Sequence, residues 1–427
     1  MTTHELVALQ RRAFNAFNPR PVDERLDQLE MLQKALIQRR DALVQALWED
    51  LGKGPEEAEE TEIGPVLGEM TFMLNRLKRW ARPRNVLLPA RMLPGRGLVL
   101  REAYGVVLIL SSWQMPVRMS LLPLISALAA GNHCVLRPSA YAPATGKAVE
   151  GLISSCFPVE QAAVTAGGRD DTQALLEEQF DFIFASGSQG LGRAVLEKAA
   201  RHITPVALEL TGKNPCVVEE SADLKAAAER IAWGKAVCAG QTNLAPDYLL
   251  VQESVRDKLL PLIRDAWTAR YGKALENVNW PRMVNEKHYQ RVMQLIQGEE
   301  IFCGGEGDGQ RIAPTLLTGV SWDSPIMQGE IQGPVLPVVT FQTVEEALQA
   351  VSGREKPLAL YLFTRRANVR EQFLREIPCG SVCVNGALIQ AQCPRLPFGG
   401  VGKSGMGRWH GKASFELFTY EKSAALL

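Results

Sequence analysis

Residues 180–210 read FDFIFASGSQGLGRAVLEKAARHITPVALEL, a strand, a glycine-rich turn, a helix and a second strand in succession. The apolar run 180–184 suits a buried strand, 189–201 suits a helix, and 206–208 is a buried strand again. Between them, Gly187-Ser188-Gln189-Gly190-Leu191-Gly192 would let backbone amides approach a pyrophosphate at a positive helix end. The run is not G-x-G-x-x-G, so taken alone it is as much a tight turn as a nucleotide loop.

The same alternation extends outward. Strands are expected at 106–110, 134–136 and 162–165, with helices at 117–130, 142–154 and 170–177, a βαβ series that predicts a parallel sheet with ligands at the strand C-terminal ends. A second α/β series starts at Pro215, with helices near 222–237, 253–270 and 284–297 and strands near 335–340, 359–363 and 381–384. The first 80 residues read as helices. Leu26, Leu29, Leu32 and Leu36 recur at helical spacing, and Asp41 is expected to cap a helix burying Leu43 and Leu47. The acidic run Glu56, Glu57, Glu59, Glu60 and Glu62 and the basic run Arg76 to Arg84 read as solvated faces. Residues 85–100, around Pro94-Gly95-Arg96-Gly97, read as a hairpin-like extension.

With 427 residues the chain is long enough for two to three domains, each with its own core. Lys plus Arg and Asp plus Glu number 47 each, so the net charge is zero and a general nucleic-acid or anionic-membrane surface is not expected. The longest apolar stretch, 121–136, is broken by Pro123, Ser126, Gly131, Asn132 and His133 and falls short of the roughly 20 residues of a membrane span. The first twelve residues lack the apolar core of a secretory signal, which leads to the expectation of a cytoplasmic protein. Eight scattered cysteines suit reduced thiols. Cys379, Cys383 and Cys393 lack paired CxxC spacing, so they read as buried or incidental thiols and no metal site is expected.

Six motifs then occur in order: Ser112-Trp113-Gln114-Met115-Pro116, Leu136-Arg137-Pro138-Ser139, Glu209-Leu210-Thr211-Gly212-Lys213, Gly240-Gln241-Thr242-Asn243, Glu330-Ile331-Gln332-Gly333-Pro334 and Leu396-Pro397-Phe398-Gly399-Gly400. With PFGGVGKSGMGRWHG at 397–411, this order resembles the aldehyde dehydrogenase superfamily, in its class 3 branch of coniferyl and fatty aldehyde dehydrogenase type, from about residue 5 to about residue 423. The resemblance implies the aldehyde dehydrogenase fold: two Rossmann-like α/β domains plus a small β oligomerisation extension. A nucleotide-binding domain is expected over 1–84 and 101–208, a catalytic-type domain over 209–405, and the extension, pairing subunits into a homodimer, over 85–100 and 406–427.

The chemistry implied is aldehyde oxidation through a cysteine thiolate, hydride transfer to NAD or NADP, and hydrolysis of the thioester by a glutamate-activated water. Carried over by resemblance, Glu209 takes the general-base position, Gln114 the oxyanion-amide position, Glu330 that of the nicotinamide-ribose carboxylate, and Arg137 that of a lysine on the adenosine ribose. Trp113, Ser139, Gly187, Ser188, Gly192, Leu210, Gln332 and Phe398 complete the expected cofactor set. Each has a plainer alternative: Glu209 as a salt-bridged structural carboxylate, Glu330 as a turn cap, Trp113 and Phe398 as core or substrate funnel. Ala140 stands where the family has a glutamate that would disfavour a 2′-phosphate, so NADP is as suitable as NAD.

Asn243 stands where the resemblance places the nucleophilic cysteine. A carboxamide is not a usable nucleophile near neutral pH, and loss of a covalent nucleophile typically costs on the order of 10^4 to 10^6 in rate. Ordinary cysteine-dependent oxidation is therefore expected to be absent or very weak. Three explanations are open. The family member has naturally diverged, keeping an aldehyde or acyl-like small ligand and serving as altered enzyme or as binding or scaffold dimer. A working enzyme carries an engineered substitution. Or Cys238 acts as a displaced nucleophile. Gln114 for asparagine, Thr211 for glycine, Gln332 for phenylalanine and Arg137 for lysine favour divergence.

Overall fold

The computed structural model describes residues 1–426 and is built on three sheets. Apolar strands at Val106–Leu110, His133–Arg137, Ala162–Val164, Phe182–Gly187 and Val206–Leu210 form a parallel sheet, closed at one edge by the antiparallel Gly405–Met406. Four of these five strands are buried along most of their length, which is why they read as continuous apolar runs. The helices Pro116–Ala130, Pro143–Ser154, Arg169–Glu177 and Gln189–His202 connect them within one or two residues of the expected bounds.

The second, seven-stranded sheet contains Pro215–Val218, Tyr248–Gln252, Val335–Phe341, Ala359–Phe363 and Ser381–Val384, together with Thr315–Thr318 and the antiparallel edge strand Glu300–Cys303. The third pairs Arg84–Val86 and Thr419–Leu426 on either side of Arg96–Ala103. Of the C-terminal tail expected in this extension, only Thr419–Leu426 joins it. Gly405–Met406 join the edge of the first sheet, with Met406 paired to Leu208, and the helix Gly411–Leu417 buries Ser414 and Phe415.

Two local expectations are corrected. Asp41 does not cap a helix: the helix Arg40–Leu51 begins earlier, and Asp41 lies in its first turn. The acidic run is not wholly solvated either. A π-helical turn at Glu59–Ile63 shifts the register so that Thr61, Glu62 and Ile63 all face inward, and Glu62 meets the fully buried Lys53 at 2.5 Å. Burial opposes the Lys53 charge, but the Glu62 and Glu57 carboxylates around it favour that charge, and its pKa is raised.

Candidate active site

Glu209 lies on the last strand of the parallel core, one residue before its C-terminal end, and is 4% exposed. Its carboxylate accepts from two directions: Asn243 Nδ2 donates to Oε1 at 3.0 Å and Trp409 Nε1 donates to Oε2 at 2.7 Å. Asn243 also donates its backbone N–H to Gln114 Oε1 at 3.1 Å. Gln114 thus uses its carbonyl on the backbone amide that would otherwise face a developing oxyanion, and Glu209, Asn243 and Gln114 are engaged with one another. The fold brings these three to one point; Trp409 lies in the motif 397–411, where nothing in the spacing marks it as a partner of Glu209.

These groups line a cavity of about 10 Å³ with Met115, Arg118, Met119, Ser186, Leu244, Ala391, Phe398 and His410. That is at the lower limit for one water molecule. Phe398 is buried in this wall, with its backbone paired to Trp409. Arg118 went unnoticed in the sequence because a single basic residue in the apolar helix Pro116–Ala130 gives no periodic signal.

Cys238 is not a displaced nucleophile. Its backbone is left-handed at φ 54°, its N–H donates to Glu57 Oε1 at 2.6 Å, and its thiol donates to the Gln114 backbone carbonyl at 3.3 Å. Burial pushes the thiol up to about 12, leaving essentially no thiolate near neutral pH.

The cofactor set divides. Ser188 caps the helix Gln189–His202 by accepting from the Leu191 N–H at 3.2 Å, and the Gln189 and Gly190 N–H groups have no acceptor within the helix. They open onto a cleft of about 780 Å³ shared with Thr211, Gly212 and Glu330. A cleft of that size and a capped, unblocked helix end fit a dinucleotide. Gly192 allows close packing of the helix on the strand, since a Cβ there would lie 2.7 Å from Leu210 Cδ1. Leu210 is buried beneath it. Trp113 stands edge-on to His288 at 5.4 Å, and Ser139 accepts from the Tyr141 N–H.

Arg137 is not free to meet a ribose as it stands: its guanidinium donates to the carbonyls of Pro138, Gly167 and Gly168. Gln332, at φ 48°, donates to Glu330 Oε2 at 2.9 Å. Burial and the nearby Asp247 carboxylate push Glu330 up to about 8, so it holds a proton at neutral pH. Beneath it, Lys235 is fully buried with Nζ 3.9 Å from Asp247 and no hydrogen-bond partner among the described residues. Burial lowers Lys235 to about 8.

Two α/β units with a nucleotide-sized cleft and a buried carboxylate–amide pair beside it define a dehydrogenase-type α/β protein. The comparisons make this specific: residues 2–424 match the aldehyde dehydrogenase family, and the chain belongs to it. It is 40% identical over 415 residues to the 4,4'-diaponeurosporen-aldehyde dehydrogenase of Staphylococcus aureus, covering 96% of this chain and 90% of that protein. It is 39% identical over 423 residues to human aldehyde dehydrogenase family 3 member B1, covering 97% and 90%. Among solved structures, the substrate-bound state of Staphylococcus aureus AldH superposes with a TM-score of 0.98 at 38% identity, covering 100% of this chain and 94% of that one. A cysteine-to-alanine mutant of the P. syringae indole-3-acetaldehyde dehydrogenase AldA, in complex with NAD+ and IAA, superposes at 0.92 with 27% identity, covering 99% and 88%. Family homologues bind NAD or NADP. Among the described residues no helix is long and apolar enough to cross a membrane.

Proposed function

We propose that this chain binds NAD or NADP and an aldehyde or acyl-like small molecule, and that cysteine-dependent aldehyde oxidation is absent or very weak while Asn243 holds the nucleophile position. The observation that carries this reading is the bond from Asn243 Nδ2 to Glu209 Oε1. An amide nitrogen, its lone pair conjugated into the C=O, offers no nucleophile to a carbonyl, and its bond ties the carboxylate to Asn243 in place of a thiol. The dinucleotide, when bound, supplies the hydride acceptor. Ser188, Gln189 and Gly190 would hold its phosphates, and Glu330 its nicotinamide ribose.

A second reading is an active NAD(P)-dependent aldehyde dehydrogenase in which one nucleophile has been substituted. Identity of 38–40% over nearly the full length to proteins named aldehyde dehydrogenases favours it. The P. syringae cysteine mutant, in complex with NAD+ and IAA, supports binding without the thiol. Both readings meet in one experiment: this chain and Asn243→Cys are assayed for NAD(P)H formation with aliphatic and aromatic aldehydes, while NAD and NADP binding is followed by calorimetry. Nucleotide binding by both proteins and turnover by the cysteine variant alone supports the substituted-enzyme reading. Binding without turnover in either points to divergence, and no nucleotide binding in either overturns the proposal.

The three-stranded sheet, with Leu87 98% exposed beside it, supports a homodimer, which sedimentation would test. Eight unpaired cysteines among the described residues support a reducing, cytoplasmic setting.

A further inference from the structure

Arg118 is the feature that the family reading leaves unexplained. It is 4% exposed in the cavity beside Glu209 and Asn243. Among the described residues its guanidinium makes no ion pair within 4.0 Å. One end donates to the Ala391 carbonyl, another faces Met115 Sδ at 3.9 Å, and Nε has no partner. The Glu209, Glu62 and Glu69 carboxylates support its charge only at longer range, while burial works against that charge.

His410 lines the same cavity, is 3% exposed, and its Nε2 also lacks a partner. Its other ring nitrogen lies 3.6 Å from Glu69, its ring stacks on Trp409 at 4.2 Å, and its backbone is held at φ 75°. The imidazole is therefore fixed with Nε2 as its remaining polar edge. Buried polar atoms in folded proteins are almost always paired, and a desolvated guanidinium most of all. Two orphans in one cavity mark a place for a polar ligand group.

We propose that this cavity takes the carboxylate end of a small organic acid, with Arg118 as its anchor and His410 Nε2 as a second contact. A guanidinium matches a carboxylate by its planar fork of donors, whereas an aldehyde oxygen can use only one of them. The cavity as it stands is too small for such a group. Admission of the ligand therefore requires the flexible Met115 and Met119 side chains in its wall to re-pack. The ligand preference of the site is thereby moved from the aldehyde toward the acid. This rests on the reading of the cavity as the ligand pocket.

The test is calorimetric titration of the full chain with sodium acetate and butyrate against acetamide and butyramide, at ionic strength held constant with sodium chloride. Arg118→Met removes the charge at similar volume, and Arg118→Lys keeps the charge without the fork. Saturable carboxylate binding is expected, about tenfold or more tighter than the matched amide, lost in Arg118→Met and partly kept in Arg118→Lys. Circular dichroism and thermal melting of the ligand-free variants show whether each is folded, and the carboxylate-to-amide comparison in the unaltered chain needs no variant. Equal binding of acid and amide, binding unchanged in folded Arg118→Met, or no binding by either probe overturns the proposal. Failure here leaves the Asn243→Cys assay with neutral aldehydes untouched, so the two readings fall separately.

Discussion

Asn243 and Trp409 donate to the two oxygens of one carboxylate, Glu209, from opposite parts of the chain. Neither bond stands alone, because each fixes the orientation of the carboxylate that the other needs. Asn243→Ala and Trp409→Phe should each destabilise the protein by about 1–3 kcal/mol through a buried acceptor left without its donor. The double variant should depart from the sum by about 0.5 kcal/mol or more, as groups sharing a partner do. Urea unfolding of the four proteins measures this, and strict additivity would show that the shared carboxylate does not couple them.

The Lys53–Glu62 pair is fully buried and reaches the site through Glu62 Oε2, which accepts from the Arg118 backbone N–H at 3.0 Å. Glu62→Leu alone should cost about 3–5 kcal/mol, since it strands a buried ammonium. Lys53→Met with Glu62→Leu should recover part of that loss, because the two opposite charges leave together while Glu57 loses the Lys53 ammonium and the Arg118 backbone N–H loses its acceptor. Equilibrium unfolding midpoints at unchanged m-value check the recovery.

Sequence reasoning reached as far as periodicity and motif order carry. The strand Val106–Leu110 and the helix Pro116–Ala130 fall where apolar runs placed them, because burial on all sides leaves no other pattern available. It failed for Glu62 because five carboxylates in seven residues look alike until a π-turn rotates one of them inward. Arg118 and the Trp409 bond to Glu209 were illegible for a related reason: both depend on residues about 270 and 200 positions away in the chain, at Ala391 and Glu209. Pairings across that distance follow from the assembled sheets and have no local spacing.

Gly192 sits against Leu210, next to the candidate base. An added methyl at 2.7 Å and 3.0 Å from the two Leu210 methyls must push that side chain aside. Gly192→Ala should therefore cost about 1–3 kcal/mol as overpacking. Nucleotide affinity in the same variant, measured by calorimetry, should fall together with stability. A variant that melts normally and binds NAD or NADP normally would show that the Leu210 contact is slack.

Glu330 and Lys235 give stability a pH profile with two slopes of opposite sign. Glu330 is raised to about 8 in the folded protein from an unfolded value of 4.5, so between those values the folded state holds more protons than the unfolded one. Stability then falls as pH rises from 4.5 through 8, and the loss is complete above 8. Lys235 is lowered to about 8 from 10.5, so between these values the unfolded state holds more protons, and stability rises with pH through 8 to 10.5. The pair should leave a shallow minimum near pH 8. Glu330→Gln should flatten the acid limb and Lys235→Met the alkaline limb, and because each group acts on the other's charge, each variant should also move the midpoint of the limb that remains. Urea unfolding at pH 5.5, 8 and 10 for the three proteins resolves the limbs. A Glu330→Gln variant that still loses stability from pH 5.5 to 8 as steeply as the unaltered chain would place the titration elsewhere, and with it the neutral carboxyl that Gln332 holds at the mouth of the nucleotide cleft.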